Sequence, residues 1–238
     1  MQITSSPYSN YNQNTVVSKI ENSSENSFSL LLNQEKELEE KGKYLTYVDQ
    51  FHYLDSLAKE DRKIIRDILR DDKITIEEMD SLSYEQAEKL AKYYIPQGTV
   101  TVEQVRNSPI IHKSNQIADM FTATKLTNDK SFNEAMYKTA RELENDIFRG
   151  KVFNEVIFSI SKALSEETGK VIINQWEWDI KNMNINFGSL LDDVILEHMK
   201  AIENATTKDS EFIKQHKESI HGLSIVQKYY SDLKKENK

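Results

Sequence analysis

Six glycines and three prolines are all that 238 residues supply, half or less of ordinary usage. Glycine is what tight turns and phosphate-cradling loops require, and proline is what punctuates irregular chain. A dinucleotide-binding fold would place several glycines in one loop, and a β-sandwich would need more of both in its turns. With so few of either, the backbone is expected to run in helices. Gly42, Pro96, Gly98, Pro109, Gly150, Gly169 and Gly188 fall where helices are predicted to stop or bend. Pro7 lies in an N-terminal tail, and only Gly222 sits inside a predicted helix. The expected fold class is all-α, a multi-helix bundle with at most one short strand or hairpin near residues 171–187.

The chain has no cysteine, which removes disulfide scaffolds, thiolate zinc sites, iron–sulfur clusters and cysteine nucleophiles together. A content of 38% hydrophobic and 29% charged residues is that of a globular chain. The net charge of −8 arises from 39 acidic and 31 basic residues, and residues 35–100 hold 16 acids against 11 bases. No basic block or stripe is present, so nucleic acid and anionic membranes both lack their electrostatic attractor. Uninterrupted apolar runs such as Leu30–Leu32 and Val171–Ile173 are three residues long, against the ~18 that span a bilayer. The start lacks the basic residues and apolar stretch of a secretory signal peptide. A soluble, cytoplasmic chain outside the Sec route is expected, with no nucleic-acid partner, no membrane span and no cofactor.

Residues 1–29 differ from the rest. Met1–Thr15 is almost entirely Ser, Thr, Asn, Gln and Tyr, and residues 1–20 carry one Lys and no acid. Such a stretch offers too little apolar surface to offset its ordering entropy, so a disordered polar tail is expected. Asn22-Ser23-Ser24 and Asn204-Ala205-Thr206 match the glycosylation triplet but are read as chance without a signal peptide. The opening, Ser-Ser-Pro-Tyr-Ser-Asn-Tyr-Asn-Gln-Asn in particular, resembles the uncleaved N-terminal signals of flagellar and other type III-exported proteins. It is also similar to the starts of flagellum-linked or uncharacterised proteins of epsilon-class proteobacteria. The resemblance covers about 20 residues and implies an export route, not a fold or a catalytic residue.

Four capping boxes, each a Ser or Thr with Glu or Gln three residues on, announce helix starts at Thr75…Glu78, Ser83…Gln86, Thr101…Gln104 and Ser131…Glu134. Apolar periodicity predicts helices over about 28–42, 61–69, 84–94 and 113–125, and a helix or an aromatic-rich turn over 44–54. The spacing of Phe132, Met136, Ala140, Leu143, Ile147 and then Phe148, Val152, Val156, Ile160, Leu164 predicts one long helix from Ser131 to about Glu167, bent near Gly150. Val171 to Ile180 alternates and reads as the one strand. Ser189 is predicted to cap a helix through Glu203, and a last helix should run from about Asp209 to Lys235. The expected organisation is a lobe of short capped helices over 30–127 and a long-helix bundle over 128–238, divided at Thr127-Asn128-Asp129 or joined in one continuous core.

Few constellations carry chemistry. Asp67–Glu78 imitates a calcium-binding loop, but Leu69 and Asp72 stand where a ligand and the turn glycine belong. A helix–turn–helix capped by Thr75 is expected instead. His216 and His221 lie about 140° apart on a helix and do not converge, and His198 follows Glu197 rather than a Glu-x-x-His spacing. A metal site would have to assemble from distant segments, for example Asp192, Asp193, His198 and a C-terminal histidine. There is no His-Glu-x-x-His, Gly-x-Ser-x-Gly or phosphate loop, so no catalytic residue is named.

The candidate partner contacts are Trp176, Trp178 and Tyr229. Trp176-Glu177-Trp178 reads either as an exposed aromatic anchor or as cover for one end of the helical core. Of Tyr229 and Tyr230, adjacent on a helix, one should be buried and the other exposed. The functional expectation is a helical protein-interaction protein, linked by its tail to flagellar or type III export. The alternatives are a hydrolase or metal-dependent enzyme with its site between the lobes, and an acidic scaffold or chaperone for a basic partner. Residues 1–20 fused to a reporter are expected to direct its export from type III-competent cells; retention in both competent and export-deficient cells would remove the trafficking expectation.

Overall fold

Each helix start leaves backbone N–H groups without intrahelical acceptors, and at five of the helices described below a side chain accepts one of them. The structure, a computed structural model, describes residues 42–50, 52–93, 114–172, 175, 178–205 and 210–236. The expected tail, the helix predicted over 28–42 and the box Thr101…Gln104 lie outside the described residues. Among the described residues are nine α-helices and no strand: α1 (Lys43–Gln50), α2 (Lys59–Ile68), α3 (Ile76–Ser81), α4 (Tyr84–Tyr93), α5 (Asn115–Ala123), α6 (Lys130–Glu142), α7 (Asp146–Thr168), α8 (Phe187–Glu203) and α9 (Ser210–Glu236). The fold is all-α.

Thr75 and Glu78 form a reciprocal capping box at α3, and Ser83 with Gln86 does the same at α4. Before α3 the chain turns through Asp72 at φ 60°. Asp71 accepts the Lys73 N–H at 3.1 Å and Asp72 accepts the Tyr44 N–H at 2.8 Å. Asp71 and Asp72 of the calcium-like stretch thus hold backbone, in a helix–turn–helix.

Two predicted starts are displaced. The carboxylate of Asp129 accepts the Phe132 N–H at 3.1 Å, so α6 begins at Lys130 with Ser131 already inside it. Asn186 accepts the Ser189 N–H at 3.2 Å, so α8 begins two residues ahead of Ser189. At α6 tertiary contacts settle the choice, since Asp129 is also held by Lys234 at 2.9 Å and the Tyr230 hydroxyl at 2.8 Å. Burial pushes the Asp129 carboxyl up, but Lys234, Tyr230 and the Phe132 N–H together outweigh it and hold it below the ordinary carboxylate range.

The single long helix expected over 131–167 is in fact two. The break falls at Leu143–Asn145, not at Gly150, and Asn145 caps α7 through the Phe148 N–H at 2.9 Å. Arg149, fully buried, occupies the joint. Its guanidinium donates to the Leu143 carbonyl at 2.7 Å and the Glu144 carbonyl at 3.4 Å, to Asp119 on α5 at 2.7 Å, and to Asp146. The end of α6 therefore finds donors for its carbonyls without continuing. Desolvation at Asp119 outweighs the guanidinium and holds its carboxyl above the ordinary range. At Asp146 the bond to Arg149 prevails and holds it below.

The predicted strand over 171–180 is absent among the described residues. Gly169 ends α7 in the left-handed region at φ 67°, which glycine enters without steric cost. The Ile172 N–H then goes to the Ser165 hydroxyl at 2.9 Å, and Ile180–Asn182 form a 3-10 turn. The Ser165 hydroxyl of α7 thus takes the Ile172 N–H, and the Trp178 N–H goes to the Gln175 carbonyl, where a strand would pair with a neighbour.

α5 packs against α3 and α4 on one side and α6 and α7 on the other, while α8 and α9 pair and α9 also crosses α6 and α7. Phe132 stacks on Phe187 with ring centres 4.2 Å apart and meets Tyr230 edge-on at 5.6 Å. Polar ties cross the expected division at 127–129: the Tyr137 hydroxyl to the Met79 carbonyl, Arg141 to Asp80, and Lys130 to Glu85. The buried apolar residues, from Tyr44 to Leu233, form one cluster.

Gly222 lies inside α9 because a Cβ there would overlap Val152 Cγ2 and stand 3.3 Å from Phe148 Cζ on α7. Gly222→Ala is expected to destabilise the protein by about 1–3 kcal/mol through this overlap, against the ~1 kcal/mol that alanine gains over glycine in a helix; thermal unfolding measures which prevails. Arg149→Leu is expected to cost roughly 3 kcal/mol by leaving Asp119 and the α6 carbonyls unmatched. Arg149→Lys should recover only part of that, because an ammonium cannot reproduce the fork. Urea unfolding of both variants checks the order.

Candidate interaction face and histidine cluster

α7 buries Arg149, Val152, Phe153, Val156, Ile160 and Leu164 toward the core. Its opposite side carries two large apolar residues that the core does not take: Ile147 is 86% exposed and Phe158 71% exposed. Eleven residues apart, they lie within about 20° of each other around the helix and ~16 Å apart along it. The sequence pattern placed Ile147 on the core stripe by running the periodicity of α6 through a break that the helix does not cross. The sequence signal for Phe158 is its offset from the Val156–Ile160 row, which turns it away from the core stripe.

Around these two residues the surface is shallowly concave. Asp146, Ile147, Gly150, Lys151, Asn154, Glu155 and Phe158 line one depression of about 550 Å³. A second, of about 570 Å³, lies between α7 and α8, where Phe158, Lys162 and Glu166 face Leu190, Asp193, Val194, Leu196 and Glu197. Leu196 and Met199 of α8 and Phe212 of α9 are also exposed. The Lys162 ammonium pairs with Glu197 at 3.0 Å. Glu197 foremost, then Glu166 and Asp193, hold Lys162 above its ordinary range. Four acids, Glu155, Glu166, Asp193 and Glu197, against two bases, Lys162 and Lys200, leave this groove negative.

Next to the groove, three helices bring titratable groups together. His198 near the end of α8 and His216 near the start of α9 approach with Nδ1 to Nδ1 at 2.6 Å, the rings tilted by 60°. The other edge of His198, Nε2, faces Glu155 Oε1 of α7 at 3.6 Å. The Ser219 hydroxyl donates to the same carboxylate oxygen at 2.6 Å, while Glu155 Oε2 is buried with no hydrogen-bond partner. Burial pulls the His216 imidazole below its ordinary range; the charges of His198 and Lys151 add to this and that of Glu155 opposes it.

Of the dispersed set proposed for a metal, the structure brings together only His198 and a C-terminal histidine. Asp192 instead accepts a bond from Gln227, Asp193 lines the groove, and His221 stacks on Phe148 at 6.0 Å. Glu155 meets the opposite edge of the His198 ring from His216, so the three donors do not converge on one point. Among the described residues no group of three or more His, Asp or Glu is arranged to hold a metal ion.

The aromatic candidates fall apart in space. Trp178 is 7% exposed and donates its indole N–H to the Ser161 hydroxyl at 3.2 Å, so it covers the core. Trp176 lies outside the described residues. Tyr229 and Tyr230 are both half-buried rather than one in and one out, because each hydroxyl finds a carboxylate of α6 or its cap. Tyr229 donates to Glu142 at 2.6 Å, and this bond with burial pushes its hydroxyl up to about 12.

The histidine pair was legible only with the helices paired. His198 lies five residues before Glu203, where α8 ends, and His216 six after Ser210, where α9 begins. A helical hairpin with a short loop brings such positions together. Reading each helix alone could not show it.

No protein-family model, curated protein or solved structure matches the chain. Among the described residues no helix is long and apolar enough to cross a membrane.

Proposed function

We propose that this chain is a helical protein-interaction protein that receives its partner on the exposed face of α7 and the groove between α7 and α8. The observation that carries this reading is the pair Ile147 and Phe158, 86% and 71% exposed on one line of a helix whose other side is core. Large apolar side chains left in water on one face mark contact surfaces, and aromatic anchors dominate binding energies. The occupant is an amphipathic helix of another protein. Its apolar stripe lies along the Ile147–Phe158 line, and its Lys or Arg residues meet Glu166, Asp193 and Glu197, where the rim is negative. Helix-in-groove recognition of this kind places anchors at three- and four-residue steps.

The polar, acid-free start over residues 1–20 supports a flagellar or type III export route for the same protein. An acidic scaffold for a basic partner is compatible with this surface. The enzyme alternative gains no convergent group between the lobes from the described residues.

A photocrosslinking amino acid at Phe158 is expected to give a discrete adduct in cells, mapping to a basic amphipathic segment of another protein. Adding Ile147→Glu, which leaves the core side of α7 untouched, should reduce that adduct at least tenfold. An adduct between two copies of this chain, or none, would overturn the assignment.

A further inference from the structure

A surface face alone does not explain why two imidazoles and a carboxylate meet where α7, α8 and α9 come together. We propose that His198, His216 and Glu155 form a pH-sensitive latch that joins α8 to α9 and opens when both imidazoles carry a proton. This goes beyond the docking reading and stands independently of it, since it concerns contacts within the chain.

The geometry sets the rule. Two ring nitrogens 2.6 Å apart can be bridged by one proton, one N–H donating and the other nitrogen accepting. The contact survives with both rings neutral, and with one imidazolium, whose charge His198 can direct through Nε2 at Glu155. It does not survive with two, because two N–H groups would then face each other with no lone pair between them. Such a pair loses its protons in coupled steps.

The surroundings decide which protonation state the folded chain holds. From α7, Lys151 and Glu155 face His216; from α8, His198 does; on α9 itself Phe212 meets the ring edge-on at 4.3 Å. Lys151 is tied to the Gln215 carbonyl at 2.6 Å and lies 3.9 Å from Glu218, so its charge stays close to His216. α6 meets α9 farther along, at Tyr229 and Tyr230, and adds no charge here. Because His216 is held below the ordinary imidazole range, the unfolded chain binds its proton first as pH falls. The contribution to stability is therefore full above pH ~6.5, the ordinary imidazole value, and is lost as pH falls from there through the folded midpoint.

The test uses the full chain and the absence of native cysteine. Spin labels at Lys200→Cys and Lys214→Cys, both exposed, report the separation of α8 from α9. Their distance is expected to be short and narrow at pH 7.5 and longer or broader at pH 5. In parallel, NMR titration of the imidazoles is expected to place His216 below the ordinary range. His198→Gln should raise the His216 midpoint by removing a like charge, while Glu155→Gln should lower it by removing an opposite one. Opposite signs from two neighbouring substitutions are not produced by loosened packing, which would raise the midpoint; if His198→Gln fails to fold, the lowering by Glu155→Gln carries the test. His221→Gln, outside the latch, should leave the midpoint unchanged. A label distance that is the same at both pH values, or a His216 midpoint that neither substitution moves, would overturn the proposal.

Discussion

The guanidinium of Arg149 is the interaction on which the arrangement of this molecule depends. It is fully buried, yet each of its three nitrogens has an oxygen to donate to: the carbonyls that end α6, the first carboxylate of α7, and Asp119 on α5. A charge taken out of water is tolerated only where its hydrogen bonds are replaced. Here the replacements come from three elements, so the charge holds α5 and the α6–α7 corner together. α5 also packs against α3 and α4, as α6 bonds to α3 through Tyr137 and Arg141. The corner at Leu143–Asn145 and the seating of α5 thus share one anchor.

Once that corner is fixed, α7 has a core side and an outer side, and both consequences bear on function. The core side receives α9 at Gly222, where the absence of a side chain lets Val152 and Phe148 come close. The outer side leaves Ile147 and Phe158 in water. α8 and α9, folded back on each other, bring Leu196 beside Phe158 and His198 beside His216. The apolar face and the histidine cluster are neighbours because Glu155 belongs to both, lining the depressions and facing His198.

Much of the helical framework was legible in the chain. The boxes at Thr75 and Ser83 are local devices, and local hydrogen bonds need no tertiary information. Ile65, Ile68 and Leu69 are buried as their spacing indicated. The errors have a common cause. Ser131 and Ser189 were plausible caps, but Asp129 and Asn186 took the role, the former while bonding to Tyr230 and Lys234 a hundred residues away. The alternation over 171–180 looked like a strand, but a strand needs a partner, and the hydroxyls of Ser161 and Ser165 met this segment instead. Of the two readings given for Trp178, exposed contact and core cover, its position gives the second.

The sequence alone determined the class of fold. Scarce glycine and proline, helical spacing and local caps leave a chain little other than helices, because each acts within one or two turns. Only the tertiary structure decided where the long helix breaks, which aromatic residues face water, and which histidines meet. Those outcomes turn on a buried charge seeking oxygens from several helices and on side chains from α7, α8 and α9 sharing one small volume. Such relations have no fixed separation along a chain, so no periodicity in the sequence records them.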